Sequence, residues 1–311
     1  MLSEEFEMAD VRTNQKKFLL TVVVPLYNEV LSLPVLMPTW IPYCHERGWK
    51  LILVNDGSTD GTRQILGEHE NPPMVKAIHH KVNRGYGGAL KSGILEADTP
   101  YVVTIDGDGQ HNIDDVGRLL NLTLEKDADM VVGSRSLYRD TNWYRSLGKW
   151  IIRRFTSLLM PLPIYDLNSG FKLYRTDLAK KYLHMCPDSM AYSDIITLIF
   201  INQRNMVLEH PIVVNQRLTG MSTISIYTAF ETIIEILNLA MLFNPLKIFL
   251  PLSFICMIIG IGWGAPIVLS GKGLSVGSML AIVTGLLFFF LGLIASQLSA
   301  LRIGSLNKRE K

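Results

Sequence analysis

The stretch Tyr101-Val102-Val103-Thr104-Ile105-Asp106-Gly107-Asp108-Gly109-Gln110-His111 runs a β-branched apolar segment into two carboxylates separated by one glycine. Its apolar half suits a strand buried on both faces of a parallel sheet. Open parallel sheets bind ligands outside the carboxyl ends of their strands, so the two acids stand where chemistry is expected. Carboxylates at i and i+2, with Gly107 permitting tight backbone geometry between them, suit a hard divalent cation that also binds phosphate oxygens. An Asp-Gly turn that merely ends a strand would use the same residues. The rest of the chain has to decide between the two.

The residues before and after this stretch alternate between strand-like and helix-like patterns. Leu19 to Pro25, Leu51 to Asn55, Val75 to His79, Tyr101 to Ile105 and Met130 to Val132 read as strands. Helical patterns lie near 29–45, 60–68, 86–97 and 112–126, with Asp60 and Asn112 as N-caps for two of them. This alternation predicts an α/β fold with a mostly parallel sheet and right-handed crossovers. Three strand ends then carry polar groups to one edge: Tyr27-Asn28-Glu29, Asp56, and Asp106 with Asp108. Tyr27 offers a ring for stacking, and Asn28, Glu29 and Asp56 can hydrogen-bond a base or ribose. Asp106 and Asp108 are left to hold a metal against phosphates, a layout that a nucleoside diphosphate would satisfy. Gly85-Tyr86-Gly87-Gly88 lacks the third glycine of a dinucleotide fingerprint and reads as close helix–sheet packing.

The C-terminal quarter has another character. Residues 248–270 carry no charged side chain, and neither do residues 273–301. Each run exceeds the about 20 residues that cross a bilayer core of roughly 30 Å as helix. Gly271, Lys272 and Gly273 connect them, so the pair reads as a transmembrane hairpin with both ends on one side. Arg302, Lys308, Arg309 and Lys311 follow the second run, against the lone Lys272 in the turn. The positive-inside rule therefore places the preceding domain and both termini in the cytoplasm. The expected divisions are a loose tail at 1–17 with no signal-peptide pattern, a catalytic domain at 18–225, a juxtamembrane helix at 226–244, spans at 245–270 and 274–301, and a tail at 302–311. Gly260 and Gly264, spaced as a small-xxx-small pair, leave self-association into a homo-oligomer open. A net charge of +2 argues against a dedicated nucleic-acid binder. Cys44, Cys186 and Cys256 are scattered, which fits a reducing compartment better than a disulfide framework or a zinc site.

Val24-Pro25-Leu26-Tyr27-Asn28-Glu29, Asn55 to Thr62, Asn83 to Gly88 and Asp106 to His111 together resemble the signature series of family 2 glycosyltransferases. Within that family the chain is similar to the polyprenyl-phosphate glycosyltransferase group, over about residues 18–225. The resemblance implies a Rossmann-like GT-A fold, a UDP- or GDP-hexose donor, an undecaprenyl or dolichyl phosphate acceptor held in membrane lipid, and Mg2+ or Mn2+. Pro25, Tyr27, Glu29 and Asp56 match positions that grip the nucleoside. Asp106, Asp108 and Gln110 match the metal-binding D-x-D-x-Q pattern, and His111 is expected beside the site or at the surface. Gly133-Ser134-Arg135 matches a stretch whose arginine contacts the acceptor phosphate. Asp166 to Lys172 is similar to the D-x-x-S-G-[FY]-[RK] segment beside the reaction centre. Arg217 to Ser222 resembles a loop that closes over the donor diphosphate, although Thr223 replaces its usual following basic residue. Asp108, Asp166 and Arg135 are thus the catalytic candidates, with Ser134, Arg139 and Lys172 as further holders of the acceptor phosphate.

Arg145, Lys149 and Arg153 recur every four residues opposite Leu147, Trp150, Ile151, Phe155, Leu158 and Leu159. This pattern predicts an interfacial helix over 143–160, or a core helix with a solvated basic face. A phosphate acceptor is already anionic at neutral pH, so an inverting displacement needs no strong base. Three other functions compete. A processive polysaccharide synthase would normally carry Gln-x-x-Arg-Trp, which is not found. A transferase to a hydroxyl lipid would need a base, for which Asp166 could serve. A membrane-tethered nucleotide-sugar binder would need no catalysis at all.

Overall fold

The computed structural model describes residues 18–135, 154, 156–157, 162–215 and 226–308. The elements of the first unit are β1 (Leu20–Leu26), α1 (Leu33–Arg47), β2 (Lys50–Asn55), α2 (Thr62–His69), β3 (Val75–His79), α3 (Tyr86–Glu96) and β4 (Tyr101–Thr104). They continue as α4 (Asp114–Lys126), β5 (Met130–Ser134), β6 (Lys172–Arg175), α5 (Thr176–Tyr182), a 3-10 turn (Leu183–Met185), α6 (Tyr192–Asn202) and β7 (Val207–Pro211). The strands form one seven-stranded sheet in the order β3-β2-β1-β4-β6-β5-β7. β6 runs antiparallel to β4 and β5, and every other pair is parallel.

Residues Leu20 to Val24 of β1 are all 0% exposed. A strand covered on both faces reads as a continuous apolar run, which is why it is visible in the sequence. On one face Leu20, Val22 and Val24 join Met37 and Trp40 of α1 and Val116 and Leu119 of α4 in the main core. Asp60 and Asn112 do the work expected of caps one residue early, because the formal caps are Gly61 and Ile113. Asp60 accepts the Thr62 N–H at 3.0 Å, and Asn112 accepts that of Asp114 at 3.0 Å.

β6 and β7 are not evident in the sequence, since Lys172-Leu-Tyr-Arg175 and Val207-Leu-Glu-His-Pro211 show no apolar run. Their placement matters for the site. The reversal of β6 makes β5 end and β6 begin at one edge of the sheet, where β1, β2 and β4 also end. The two ends of the long β5–β6 connection therefore stand at that same edge.

The second unit takes in α7 (Ile226–Phe243) from Ala229 onward, α8 (Leu246–Leu269) and α9 (Val276–Lys308). Residues Leu246–Leu269 and Val276–Leu301 are long and apolar enough to cross a membrane. The two helices pack through small residues. A Cβ on Gly260 would lie 2.6 Å from Ile282 Cγ1, and one on Gly264 would lie 2.7 Å from Ser278 Oγ. Ser253 Oγ donates to the Gly285 carbonyl at 2.7 Å. The glycine pair is thus occupied inside the hairpin. The expected 143–160 helix falls outside the described residues except for Arg154, Thr156 and Ser157.

Gly260→Leu should force α8 and α9 apart, at a cost of about 1–3 kcal/mol. Gly262→Leu, whose Cβ would meet nothing within 4 Å, should be neutral. Thermal unfolding in detergent distinguishes the two variants; equal melting temperatures would contradict this packing.

Candidate active site

Asp106 and Asp108 follow β4 at the edge where β1 and β2 also end. The glycine between them is required by close approach, since a Cβ at Gly107 would strike Leu26 Cδ2 and come within 3.1 Å of the Pro25 carbonyl. Asp106 is built into a small network. Tyr86 Oη donates to its Oδ1 at 2.8 Å, and His111 Nε2 lies 3.4 Å from its Oδ2. Burial alone would raise the Asp106 carboxyl, but the hydrogen bond and charge of His111, then Tyr86 and Arg135, hold it below the ordinary range. Burial and the Asp106 charge push the Tyr86 phenol well above its ordinary value, so it stays a donor. A Cβ on Gly170 would come within 2.6 Å of Asp106 Oδ1, so only glycine can pass there. His111 is buried, stacks 5.2 Å from Phe171, and leaves its Nδ1 without a hydrogen-bond partner.

Asp108 is 8% exposed and accepts the Gln110 N–H at 3.0 Å. The Gln110 carbonyl accepts from Asn215 N at 2.8 Å, which ties this turn to the segment after β7. Among the described residues no group of three or more His, Cys, Asp or Glu side chains could hold a metal ion. Two carboxylates are nonetheless a fitting donor set for Mg2+ or Mn2+. Such ions keep several waters and take one or two carboxylates together with ligand phosphates.

The β1 and β2 tips are laced together. Asn28, at φ 56°, donates its N–H to Ser58 Oγ and accepts from Thr59 N, both at 2.9 Å. Glu29 N donates to Thr62 Oγ1 at 3.0 Å, and Glu29 Oε2 accepts the Ser32 hydroxyl at 2.6 Å. Burial works against the Asp60 carboxyl, yet hydrogen bonds from Thr62 and Val30 keep it below its usual range. Pro25 is half-buried on β1, and beside it the Tyr27 ring is 49% exposed, open to a stacking partner.

Asp56 is a different matter. Its carboxylate is 3% exposed and accepts Arg84 N at 2.8 Å, Gly85 N at 2.9 Å and His80 Nδ1 at 2.6 Å. The carboxylate expected to meet the nucleoside also organises the Arg84–Gly85 loop. His80 continues the chain through Nε2 to Ser92 Oγ at 2.9 Å.

Arg135 follows β5 at the same edge. Its Nε and Nη2 meet the two oxygens of Asp166 at 2.8 and 2.9 Å, and its backbone N–H reaches Asp166 Oδ2 at 3.0 Å. Nη2 also bonds Asn168 Oδ1. Burial raises the Asp166 carboxyl, but the hydrogen bond and charge of Arg135 outweigh it and leave the group ionised. Asp166 N and Tyr165 N both donate to Glu209, each at 2.8 Å.

Two expected phosphate holders prove to be interior. Ser134 is 0% exposed as the last residue of β5, where its carbonyl accepts Ile212 N at 2.9 Å. Lys172, also 0% exposed, donates to the Leu167 carbonyl at 2.7 Å and to that of Ser193. Burial pulls its ammonium down and pushes the Asp194 carboxyl up, while the charges of the two groups oppose those shifts. Arg139, Arg217, Ser222 and Thr223 lie outside the described residues.

Sequence reasoning missed Tyr86, His80 and Glu209. Tyr86 stood inside a glycine cluster read as packing, and Glu209 in a strand that carries no apolar signal.

Residues 21–183 match Glycosyl transferase family 2, and residues 244–301 match the GtrB C-terminal hairpin. The chain belongs to glycosyltransferase family 2. This glycosyltransferase is 29% identical over 228 residues to a polyprenol monophosphomannose synthase of Mycolicibacterium smegmatis, covering 70% of the chain and 84% of that protein. It is 28% identical over 286 residues to an undecaprenyl-phosphate 4-deoxy-4-formamido-L-arabinose transferase of Pectobacterium carotovorum subsp. carotovorum, covering 88% and 83%. The fold is GT-A. Glucosyl-3-phosphoglycerate synthase from Mycobacterium tuberculosis, solved with Mn2+, UDP and glucosyl-3-phosphoglycerate, superposes with TM-score 0.57 at 16% identity, covering 72% of this chain and 80% of that one.

Replacing Lys172 by Met in this glycosyltransferase removes the donor to the Leu167 carbonyl, leaves that of Ser193 with its Thr197 partner, and leaves the buried Asp194 carboxyl without its opposing charge, at a cost of about 2–4 kcal/mol. Adding Asp194→Asn should recover part of that loss, because it removes a buried carboxyl whose nearest compensating charge has gone. Chemical denaturation of the single and double variants measures both steps.

Proposed function

We propose that this enzyme transfers a hexose from a UDP- or GDP-sugar to polyprenyl phosphate, with inversion at the anomeric carbon. One observation carries the reading. The segment Asp166 to Gly170 touches the Arg135 guanidinium at one end and the Asp106 carboxylate at the other. A group that attracts phosphate and a group that attracts a cation thus flank one short stretch of chain. The relatives' names add that proteins similar over most of this chain act on polyprenol or undecaprenyl phosphate.

Tyr27 stacks the base, and the laced β1 and β2 tips form the floor beneath the nucleoside. Asp106 and Asp108, with Gln110 beside them, hold the divalent cation; when bound, it neutralises charge on the departing diphosphate. Tyr86 and His111 fix the Asp106 carboxylate in place. Arg135 holds the acceptor phosphate, which at a second pKa of about 6 is largely dianionic at neutral pH. Its oxygen attacks the anomeric carbon from the face opposite the diphosphate. The new bond joins that carbon to phosphate oxygen as the bond to the diphosphate oxygen breaks. No base is needed. A hydroxyl acceptor would need one, and the Asp166 carboxylate is committed to Arg135 through both oxygens.

The hairpin tethers the catalytic domain to the bilayer that carries the acceptor. The cationic residues after the second span, against the single Lys272 in its turn, favour a cytoplasmic domain facing cytoplasmic nucleotide sugars. The relatives' names differ in the sugar, so the donor has to be found by a screen.

Purified protein with labelled UDP- and GDP-hexoses and undecaprenyl phosphate should yield a labelled lipid phosphate sugar. Nucleotide binding without any product would favour a non-catalytic binder. Asp108→Ala, or a chelator, should leave less than about 1% of the transfer. Near-normal turnover by that variant with added Mg2+ or Mn2+ would sink the metal assignment. Tyr86→Phe removes one hydrogen bond to a carboxylate and should weaken UDP or GDP binding in Mn2+ by about tenfold, as read by calorimetry.

A further inference from the structure

Glu209 lies in β7, opposite Val132 of β5, three residues before Arg135 in the chain. Its two carboxylate oxygens accept consecutive peptide N–H groups, Tyr165 at Oε2 and Asp166 at Oε1, each at 2.8 Å. From the other side the buried Lys172 ammonium donates to the Leu167 carbonyl at 2.7 Å. The turn is therefore pinned by an anion on its N–H groups and by a cation on its carbonyl. What it presents is Asp166 and Asn168, the two side chains that receive the Arg135 guanidinium.

We propose that Glu209 is a positioning residue for phosphate recognition by Arg135, an inference that rests on the reading of Arg135 as the acceptor-phosphate contact. Asp166 and Asn168 engage the Nε and Nη2 donors, so their pairing sets the plane of the guanidinium and with it the direction in which its charge is presented to a phosphate. Two parallel bonds from Asp166 fix that plane relative to the Asp166 backbone. Two bonds to successive N–H groups fix that backbone relative to β7. A carboxylate that accepts both N–H groups removes the rotation about the 165–166 peptide that either bond alone would leave. β7 in turn is locked to β5, whose end carries Arg135, so the chain of contacts closes on itself. Glu209 touches neither substrate nor metal ligand in this scheme; it aims the residue that does.

The test compares wild type, Glu209→Gln, Arg135→Ala and the double variant, each as full chain in detergent. Glutamine keeps the volume and one acceptor but sets an amide N–H₂ against the other peptide N–H. The readouts are undecaprenyl phosphate affinity, UDP and GDP affinity in Mn2+, and melting temperature. Glu209→Gln should weaken undecaprenyl phosphate binding by about tenfold or more, with nucleotide affinity unchanged. The double variant should bind no more weakly than Arg135→Ala, because the positioning effect has nothing left to position. Should Glu209→Gln fail to fold, Glu209→Asp, which keeps the charge and shortens the reach, must show the same selective loss. Wild-type acceptor binding by the Glu209 variants, or losses that multiply in the double variant, would overturn the proposal while leaving the role of Arg135 intact. Parallel loss of acceptor and nucleotide binding would overturn it in favour of general support of the fold. Wild-type acceptor binding by Arg135→Ala would remove the reading beneath it.

Discussion

A carboxylate at the end of a buried strand must have its charge met, and much of the α/β unit is arranged around that demand. Asp106 follows a strand whose last residues are fully buried, so water cannot satisfy it alone. Tyr86 reaches it from α3, and His111 from the turn before α4. Gly170 approaches it without a side chain, and Thr104 Oγ1 holds the Gly170 carbonyl at 2.7 Å. These partners come from two crossovers of the parallel strands and from the β5–β6 connection, whose ends stand at the same edge. The strand ends converge, and each following loop brings one partner to the common edge.

The same logic sets what stays open. Asp56, Asp60, Asp166 and Lys172 spend their polar atoms on backbone groups and on neighbouring side chains, so they stiffen loops. Tyr27 is half exposed, and the Arg135 side chain is 30% exposed. Rigid polar lacing under a few presented groups is the arrangement that electrostatic preorganisation requires, since nothing has to reorient when charge moves. Buried polar networks of this kind are costly when incomplete, and His111, whose Nε2 faces Asp106, leaves its buried Nδ1 without a partner among the described residues.

The sequence made the strands legible where burial on both faces demands unbroken apolar runs, as in β1, β2 and β4. It could not announce β6, because Lys172 lies inside the sheet and is tolerated only through two carbonyls supplied from elsewhere in the chain. β7 is hidden for a related reason: Glu209 has its partners in the turn before β6. Site positions were legible as types at strand tips, but partners were not. Asp56 stands out at a strand tip, but its hold on the Arg84–Gly85 loop is visible only in the fold. Ser134 and Arg135 are neighbours in sequence, and only the strand's end decides that one is interior and the other partly exposed. The glycine spacing in the hairpin was visible too, whereas the identity of its partner helix required the fold.

The reversal of β6 has a consequence for how such an enzyme can diversify. Arg135 and Asp166 open and close the β5–β6 excursion at one rim, where an ion pair staples them across 31 positions. The entropy of closing so long a loop rises only logarithmically with its length. Residues can be added, removed or exchanged inside the excursion without shifting any strand register. The staple lets the length between its two ends vary while β5, β6 and the carboxylates beside them keep their places.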